Sequence, residues 1–151
     1  MSRSPNKEPF SALDEINRAV RERKLEQYRS ENLKLGMRPV SFAAGASQWA
    51  WEEQPQTALN QFGTLQGGYL AIFVDELFAT AVASVLKEGE WAVTVEVRLA
   101  FMRALAPGSL KGAARVVYRS RALAFLEAQV SSANGETALT ASSTWAIRGR
   151  A

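Results

Sequence analysis

The stretch GGYLAIFVDELFATAVASVL, residues 67–86, decides the fold of this chain. Apolar residues lie on almost every side of a helix drawn through it, so such a helix must be buried on most of its surface. The stretch is long enough to span a bilayer, but Asp75 and Glu76 lie at its middle, where adjacent carboxylates would be costly. Because the rest of the chain is strand-like, the sequence predicts a buried central helix in a protein that does not enter a membrane.

Four strands are predicted after this helix. Four segments alternate apolar and polar residues with a period of two, the spacing of a half-buried strand: 93–101, 109–119, 122–133 and 137–147. Ala106-Pro107-Gly108 predicts a turn after the first of them. Asn134-Gly135 predicts a hairpin before the last, since both residues tolerate a positive φ.

One further strand is predicted before the helix. Residues 40–53 place Trp49 and Trp51 two residues apart, as in a strand, and residues 54–66 are rich in Gln, Thr, Asn and Gly, as in a loop. The order is then strand, long buried helix and four antiparallel strands. An α+β fold satisfies this order, with one antiparallel sheet wrapped around one apolar helix.

Residues 1–39 are predicted to be an N-terminal extension to a domain that spans residues 40–151. Residues 1–9 contain two prolines and few apolar side chains, which favours disorder. Good helix formers run from Ser11 to about Leu33, which predicts an extra N-terminal helix. The apolar stripe of this helix is narrow, so we expect it to pack weakly or on a partner subunit.

Composition narrows the chemistry that this chain can perform. Its 151 residues suffice for one domain, and they include neither Cys nor His. These absences exclude thiolate nucleophiles, His-containing triads and nearly all transition-metal sites, so no metal site is predicted. Catalysis must then rest on carboxylates, hydroxyls, amides, backbone N–H groups or Lys and Arg side chains.

The positive charge is concentrated in the N-terminal extension. Residues 1–39 carry nine Lys or Arg against six Asp or Glu, whereas residues 40–151 carry nine of each, for a net charge of +3. Opposite charges are interleaved along the extension, which indicates a solvated helix face, so no nucleic-acid partner is predicted. No signal peptide is visible at the N-terminus, so we expect the protein to be cytoplasmic.

A distinctive string, NQFGTLQGGYLAIFVDELFATA, occupies residues 60–81. It resembles the hotdog-fold acyl-CoA thioesterases, specifically the phenylacetate-degradation and 4-hydroxybenzoyl-CoA thioesterase-like group. That family has an Asn or Gln, a turn usually written HGG, and an Asp or Glu one helical stretch further on. Asn60, Gly67 and Asp75 stand at these places. The string FMRALAPGSL, residues 101–110, also resembles the family's turn after its second strand.

The resemblance covers roughly residues 40–148 and implies a fold, a reaction and a partner. The fold is the hotdog, in which an antiparallel sheet wraps around one long helix. The reaction is hydrolysis of an acyl-CoA thioester to a carboxylic acid and free CoA, and it needs no cofactor because CoA is part of the substrate. The implied assembly is a homodimer or a homotetramer.

Gly67 and Gly68 are expected to open the central helix, whose first N–H groups have no intrahelical partner. Those donors, with the helix dipole behind them, can hold a carbonyl oxygen that gains negative charge. The resemblance implies that the N–H of Gly67 points at the thioester oxygen, whereas the bare sequence also allows a simple tight turn.

Gln66 replaces the family's usual His. Its amide would support the turn by hydrogen bonding, or its presence would leave the protein slow or inactive.

Asp75 is the expected catalytic acid. It lies eight residues after Gly67, about 12 Å along a helix, so it cannot serve an oxyanion hole at the start of its own helix. The resemblance implies that each site combines the Gly turn of one subunit with the acid of the other. Asp75 would act as general base or as nucleophile, with a pKa raised by apolar neighbours. Glu76 is instead expected to be a solvated or salt-bridged acid at a helix edge.

Asn60 and Thr94 are expected to assist this acid. Asn60 would orient the water or the substrate through its amide, or it would only make an Asx turn. Some relatives have a Thr one turn after the acid, where this chain has Ala79, so that role is vacant or passes to Thr80 or Thr94. Thr94 would help to hold the attacking water, or it would be an ordinary strand surface residue.

Arg119 and Arg121 are the first candidates to meet the CoA phosphates, because guanidinium groups pair well with phosphate. Arg103 and Lys111 are further candidates, and ordinary surface charge is the alternative for all four.

Two other functions of the protein stay open. One is a non-catalytic acyl-CoA or acyl-carrier binding protein, which the Gln66 substitution keeps in view, and the other is an oligomer whose N-terminal helix recruits a partner. Acyl dehydration on the same fold relies on a catalytic His, which this chain lacks.

Overall fold

One long helix and one sheet make up most of the computed structural model, which describes residues 9–149. The elements in chain order are helix α1 (Pro9–Arg21), strands β1 (Met37–Ala43) and β2 (Ala46–Trp51), helix α2 (Gly67–Ala83), and strands β3 (Glu90–Phe101), β4 (Leu110–Arg119), β5 (Leu123–Ser132) and β6 (Thr137–Gly149). The disorder predicted at the N-terminus concerns residues 1–8, which lie outside the described residues, and Pro9, which is already helical.

The sheet is antiparallel throughout, with the strand order β1-β2-β4-β5-β6-β3. Helix α2 packs against the sheet, and its side chains Phe73, Val74, Leu77 and Phe78 are fully buried. These observations confirm the predicted α+β architecture of one antiparallel sheet around one apolar helix. No helix within residues 9–149 is long and apolar enough to cross a membrane.

A glycine in β4 allows α2 to approach the sheet closely. A Cβ atom on Gly112 would lie 2.6 Å from Cδ1 of Leu77 and 3.1 Å from the ring of Phe73. A side chain larger than hydrogen at Gly112 would therefore require the side chains of Leu77 and Phe73 to shift.

The single strand predicted over residues 40–53 is wrong. The chain turns at Ala44 and Gly45, so this region forms the hairpin of β1 and β2, with Ala43 paired to Ala46. Gly45 has a φ of 74°, a conformation that glycine adopts readily and that tight hairpin turns require. The isolated glycine was the sequence signal for this turn.

The N-terminal helix is shorter than predicted. It ends at Arg21, and two short 3₁₀ helices, Leu25–Gln27 and Glu31–Leu35, replace the predicted continuation to Leu33. The reason is the side chain of Tyr28, which is buried and makes edge-to-face contacts with other rings of the core. The helix is interrupted at residues 22–24, where Arg23 has a φ of 58°, and the tertiary packing of Tyr28 outweighs local helix propensity.

Helix α1 packs closely against α2 of its own chain. Ala19 and Val20 are each only 1% exposed, and Ile16 packs against the core. The expected weak packing is therefore wrong, because the apolar residues near the end of α1 face the central helix.

Candidate active site

Asp75 lies in the middle of α2 and is half-buried beside β3. The hydroxyl of Thr94 donates a hydrogen bond of 3.1 Å to Oδ1 of Asp75. Burial raises the pKa of Asp75 above its usual range, the hydrogen bond from Thr94 opposes this rise, and the neighbouring Glu76 adds to it. The structure therefore brings together two of the residues predicted from the sequence, and it gives the carboxyl a pKa shifted towards that of a useful general base.

Replacing the Thr94 hydroxyl should move the pH dependence of any reaction that needs the Asp75 carboxylate. In Thr94→Val the ionised carboxylate loses its hydrogen bond, so the pKa of Asp75 rises further. The rate should then begin to increase at a higher pH than in the wild type. A pH profile of kcat/KM measures this, with Thr140→Val on β6 as the matched control. An unshifted profile, or one shifted to lower pH, would contradict the assignment.

The start of α2 presents backbone donors to solvent. Gln66 precedes the helix, and its carbonyl accepts from the N–H groups of Tyr69 and Leu70, each at 3.1 Å. The N–H groups of Gly67 and Gly68 make no backbone hydrogen bond to any residue in the described range, and both glycines are exposed. Two donors at the positive end of a helix dipole are thus available to an incoming oxygen.

The ring of Phe101 lies over this helix start. A Cβ atom on Gly67 would lie 3.2 Å from Cζ of Phe101, and the ring itself is 50% exposed. The sequence placed Phe101 only on a strand, because nothing in its local pattern indicates which helix end it covers. The ring therefore lies where a side chain at residue 67 would be.

Gln66 supports the loop that precedes the helix. Its Nε2 donates to the carbonyl oxygens of Thr57 at 3.1 Å and Leu59 at 2.9 Å. The sequence left two interpretations of Gln66 open, support of the turn through its amide or a slow or inactive protein. These bonds favour support of the turn.

Asn60 makes its hydrogen bonds within its own loop. Its Oδ1 accepts from the N–H groups of Phe62 at 3.0 Å and Thr64 at 3.1 Å, and its Nδ2 donates to the hydroxyl of Thr64 at 2.8 Å. The contacts within one subunit therefore favour the Asx-turn interpretation over the water-orienting one.

Thr80 does not take part in the site. It is fully buried, its hydroxyl donates to the carbonyl of Glu76 at 2.8 Å, and it accepts from Nε1 of Trp49 at 3.0 Å. The bond from Trp49 connects it to β2, and the bond to Glu76 lies within its own helix. Thr94 is thus the hydroxyl that lies beside Asp75, on the neighbouring strand.

The match to a family model covers helix α2, strands β3, β4 and β5, and the start of β6. The thioesterase superfamily model matches residues 62–139, which include Gly67, Asp75 and Thr94. The chain belongs to the thioesterase superfamily. The match begins after Asn60, so the N-terminal extension and the β1–β2 hairpin lie outside it.

Solved structures of other proteins share this superfamily fold. A protein of Thermus thermophilus is 28% identical, with a TM-score of 0.71, over 78% of this chain and 97% of that one. A phenylacetic acid degradation-related protein of Ralstonia eutropha JMP134, described as a putative thioesterase, is 25% identical, with a TM-score of 0.75, over 87% and 98%. The PaaI protein of the E. coli phenylacetic acid degradation operon is 18% identical, with a TM-score of 0.76, over 89% and 96%. A comparison with curated proteins gives no match.

Glu76 is not the solvated or salt-bridged acid that the sequence suggested. It is 6% exposed and accepts hydrogen bonds from the hydroxyl of Tyr28 at 2.7 Å, from the hydroxyl of Ser30, and from Nδ2 of Asn32 at 2.8 Å. Successive residues of a helix point about 100° apart, so Glu76 turns away from Asp75 and towards the N-terminal segment. Burial, with the adjacent carboxylate of Glu76, raises the pKa of Tyr28 above its usual range.

The two arginines predicted to meet CoA phosphates lie away from the glycine turn of this superfamily member. Arg119 forms an ion pair with Glu90, and only 21% and 19% of these side chains are exposed. This pair joins the end of β4 to the start of β3, near the C-terminal end of α2 rather than its glycine start. Arg121 is exposed in the turn between β4 and β5. The structure thus places Arg119 in an internal ion pair.

A larger groove of about 710 Å³ crosses the sheet but contains neither Asp75 nor Gly67. Its two arginines are paired, Arg98 with Glu96 at 3.0 Å and Arg115 with Glu127 at 2.7 Å. The groups able to perform hydrolysis lie along α2 and β3 instead.

Proposed function

We propose that this protein hydrolyses an acyl-CoA thioester to a carboxylic acid and free CoA. The observation that carries the proposal is the Asp75–Thr94 pair on a helix whose first N–H groups are open to solvent, in a chain of the thioesterase superfamily. Because CoA is the leaving part of the substrate, no separate cofactor is needed. The supply of CoA thioesters favours a cytoplasmic location.

The proposed chemistry uses the carboxylate form of Asp75. The thioester oxygen accepts from the N–H of Gly67, which stabilises the negative charge that builds up on it. Asp75 takes a proton from water, the resulting hydroxide adds to the carbonyl carbon, and the C–S bond breaks to release the CoA thiolate. Alternatively the carboxylate adds first, releases the thiolate and forms an anhydride that water then opens. Both routes end in the same products.

The helix geometry supports a site shared between two subunits. Gly67 and Asp75 are about 12 Å apart along α2, too far to act on one carbonyl group. Strand β3 is an edge of the sheet and exposes Val93 and Val95, so a second copy can pair with it. The strand also exposes Glu96 and Arg98, which pair with each other at 3.0 Å, and its exposed valines favour association.

The direction of β3 indicates how such a pair would complete the site. The strand runs opposite to α2, with Thr94 beside Asp75 and Phe101 beside Gly67. Antiparallel pairing of two copies, centred between Val97 and Arg98, would set Thr94 opposite the partner subunit's Phe101. The acid of one subunit would then face the glycine turn of the other, as a symmetric interface requires. We propose a homodimer as the minimal unit, which is able to associate further into a tetramer.

A thiol-release assay tests the proposed reaction. The wild type would be given short, medium, long and aryl acyl-CoAs, and free CoA would be measured with a thiol reagent. We expect catalytic release from at least one of these classes. Tight binding of thioesters without release from any of them would replace the hydrolase proposal with the non-catalytic binding protein.

A further inference from the structure

A second, smaller cavity lies beneath the N-terminal helix. It has a volume of about 200 Å³ and is lined by residues of α1, the C-terminal half of α2, the segment around Tyr28, the start of β3 and the end of β6. Most of its wall is apolar, as with Ile16, Val82 and Ala92. The family match begins at residue 62, so α1 adds a wall to this cavity from outside the matched region.

Two buried N–H groups on this wall are unpaired. Asn17 and Trp145 both line the cavity and are each 6% exposed. Nδ2 of Asn17 and Nε1 of Trp145 find no hydrogen-bond partner among the described residues. Both groups are donors, so they cannot satisfy each other as placed. Since buried donors are almost always paired in folded proteins, an acceptor between them is the arrangement that this wall favours.

The cavity adjoins the proposed catalytic pair, although neither Asp75 nor Thr94 lines it. Trp145 is directly opposite Thr94 in the pairing of β6 with β3. Ala79, which also lines the cavity, lies one turn beyond Asp75 on α2, about 6 Å along the axis. Of the α2 residues that line the cavity, Ala79 is therefore the nearest to Asp75 along the chain.

Size and charge define what the cavity can hold. A cavity of roughly 150 Å³ holds benzene, so about 200 Å³ holds a group of roughly six to eight non-hydrogen atoms. The carboxylates of Asp75 and Glu76 on the adjoining turn disfavour an anion. Nη1 of Arg29, the cation at the wall, donates to the carbonyls of Glu26 at 2.7 Å and Tyr28 at 2.8 Å. A neutral acceptor would satisfy the two unpaired N–H groups without placing a further negative charge beside Asp75 and Glu76.

We propose that this cavity is the acyl pocket, and that it selects a compact acyl group whose far end carries a carbonyl oxygen held by Asn17 and Trp145. The inference rests on the proposed thioesterase function, because it assigns the pocket to the acyl part of that substrate. A few precisely placed polar groups in an apolar wall are the usual source of orientation and specificity in such pockets.

A matched pair of substrates tests the pocket. The far carbonyl of 5-oxohexanoyl-CoA is replaced by a branched CH group of nearly the same shape in 5-methylhexanoyl-CoA. We expect kcat/KM for the oxo compound to be about 5- to 100-fold higher, the effect of two buried hydrogen bonds. Asn17→Leu and Trp145→Phe should each reduce this ratio, and the double variant should abolish it. Trp91→Phe is the control that keeps the ratio.

Binding measurements separate failure of the pocket from failure of the reaction. Dissociation constants of both thioesters would be measured by calorimetry on Asp75→Asn, where turnover is not needed. Hydrolysis that depends on Asp75 but shows no oxo preference in kcat/KM or affinity would overturn the pocket alone. A retained oxo preference in affinity, with no hydrolysis by the wild type, would overturn the reaction alone.

Thermal stability gives a readout independent of substrate. If the Asn17 amide is unpaired, Asn17→Leu replaces a buried unsatisfied group by an apolar one of similar size and should raise Tm by about 2–4 °C. A lower Tm would show that the amide oxygen accepts from Trp145 instead. The two groups would then satisfy each other, and the proposed acyl contact would be overturned.

Discussion

Asp75→Asn is expected to lower kcat for thioester hydrolysis by about 10²–10⁴-fold, the usual contribution of a general base. The amide has nearly the same shape as the carboxylate and can still accept from the Thr94 hydroxyl, so the fold should be unchanged. Thiol release would be measured on the best acyl-CoA found in the panel. Glu88→Gln, at an exposed side chain, is the matched control and should keep full activity.

The same variant should be more stable than the wild type at neutral pH. Burial raises the pKa of Asp75 in the folded state, so folding favours the protonated carboxyl. The stability contributed by this group is fully present below the pKa of the unfolded chain and is lost as the pH rises through the folded value. Asn is neutral throughout, so Tm of Asp75→Asn should exceed that of the wild type at pH 7 and match it near pH 3. An activity loss accompanied by a lower Tm at pH 7 would indicate damage to the fold instead.

Glu76 is the neighbour of Asp75 in the chain, but its role is structural. Glu76→Leu is therefore expected to destabilise the protein by about 3–5 kcal/mol. The change leaves the donors of Tyr28, Ser30 and Asn32 without their shared acceptor, and each buried unsatisfied donor costs about 1–3 kcal/mol. Urea denaturation followed by circular dichroism measures the loss. Tyr28→Phe removes one of the three bonds and should cost about 1 kcal/mol.

Glu31→Gln is the control for this series. Its side chain is 86% exposed and pairs only with Lys34, so the change should cost less than about 0.5 kcal/mol. If Glu76→Leu were as mild as Glu31→Gln, the hydrogen bonds to Tyr28, Ser30 and Asn32 would not anchor the N-terminal segment. The assignment of Glu76 to structure and Asp75 to chemistry would then lose its basis.

The central helix and the strands after it were predictable because their periodic patterns are strong and uninterrupted. The residues of α2 are apolar on all sides, and β3 to β6 alternate with a period of two. The β1–β2 hairpin was missed because a single glycine, Gly45, makes the turn within an otherwise strand-like run. The end of α1 was missed because the burial of Tyr28, a tertiary effect, outweighs a helix-favouring local composition.

The site was predictable only in part, because several of its polar contacts join residues that are far apart in the sequence. Gly67 and Asp75 share one helix, so their separation follows directly from helix geometry. The partners of Glu76 lie 44 to 48 residues earlier in the chain, and no local pattern connects them to it. The pairing of Arg119 with Glu90 spans 29 residues and depends on how the sheet brings β4 and β3 together. Long-range polar contacts of this kind depend on the folded geometry.

A mixed-dimer experiment tests the shared site most directly. Asp75→Asn and Gly67→Val would each be inactive alone, the second because its side chain would crowd the Phe101 ring and block the approach to the N–H. In a mixed dimer, one of the two sites keeps Gly67 from the first variant and Asp75 from the second. Random mixing of equal amounts should therefore restore about a quarter of the wild-type activity in the thiol-release assay. Activity that stays at the level of the separate variants, in a sample where mixed dimers are shown to form, would contradict a site built from two subunits.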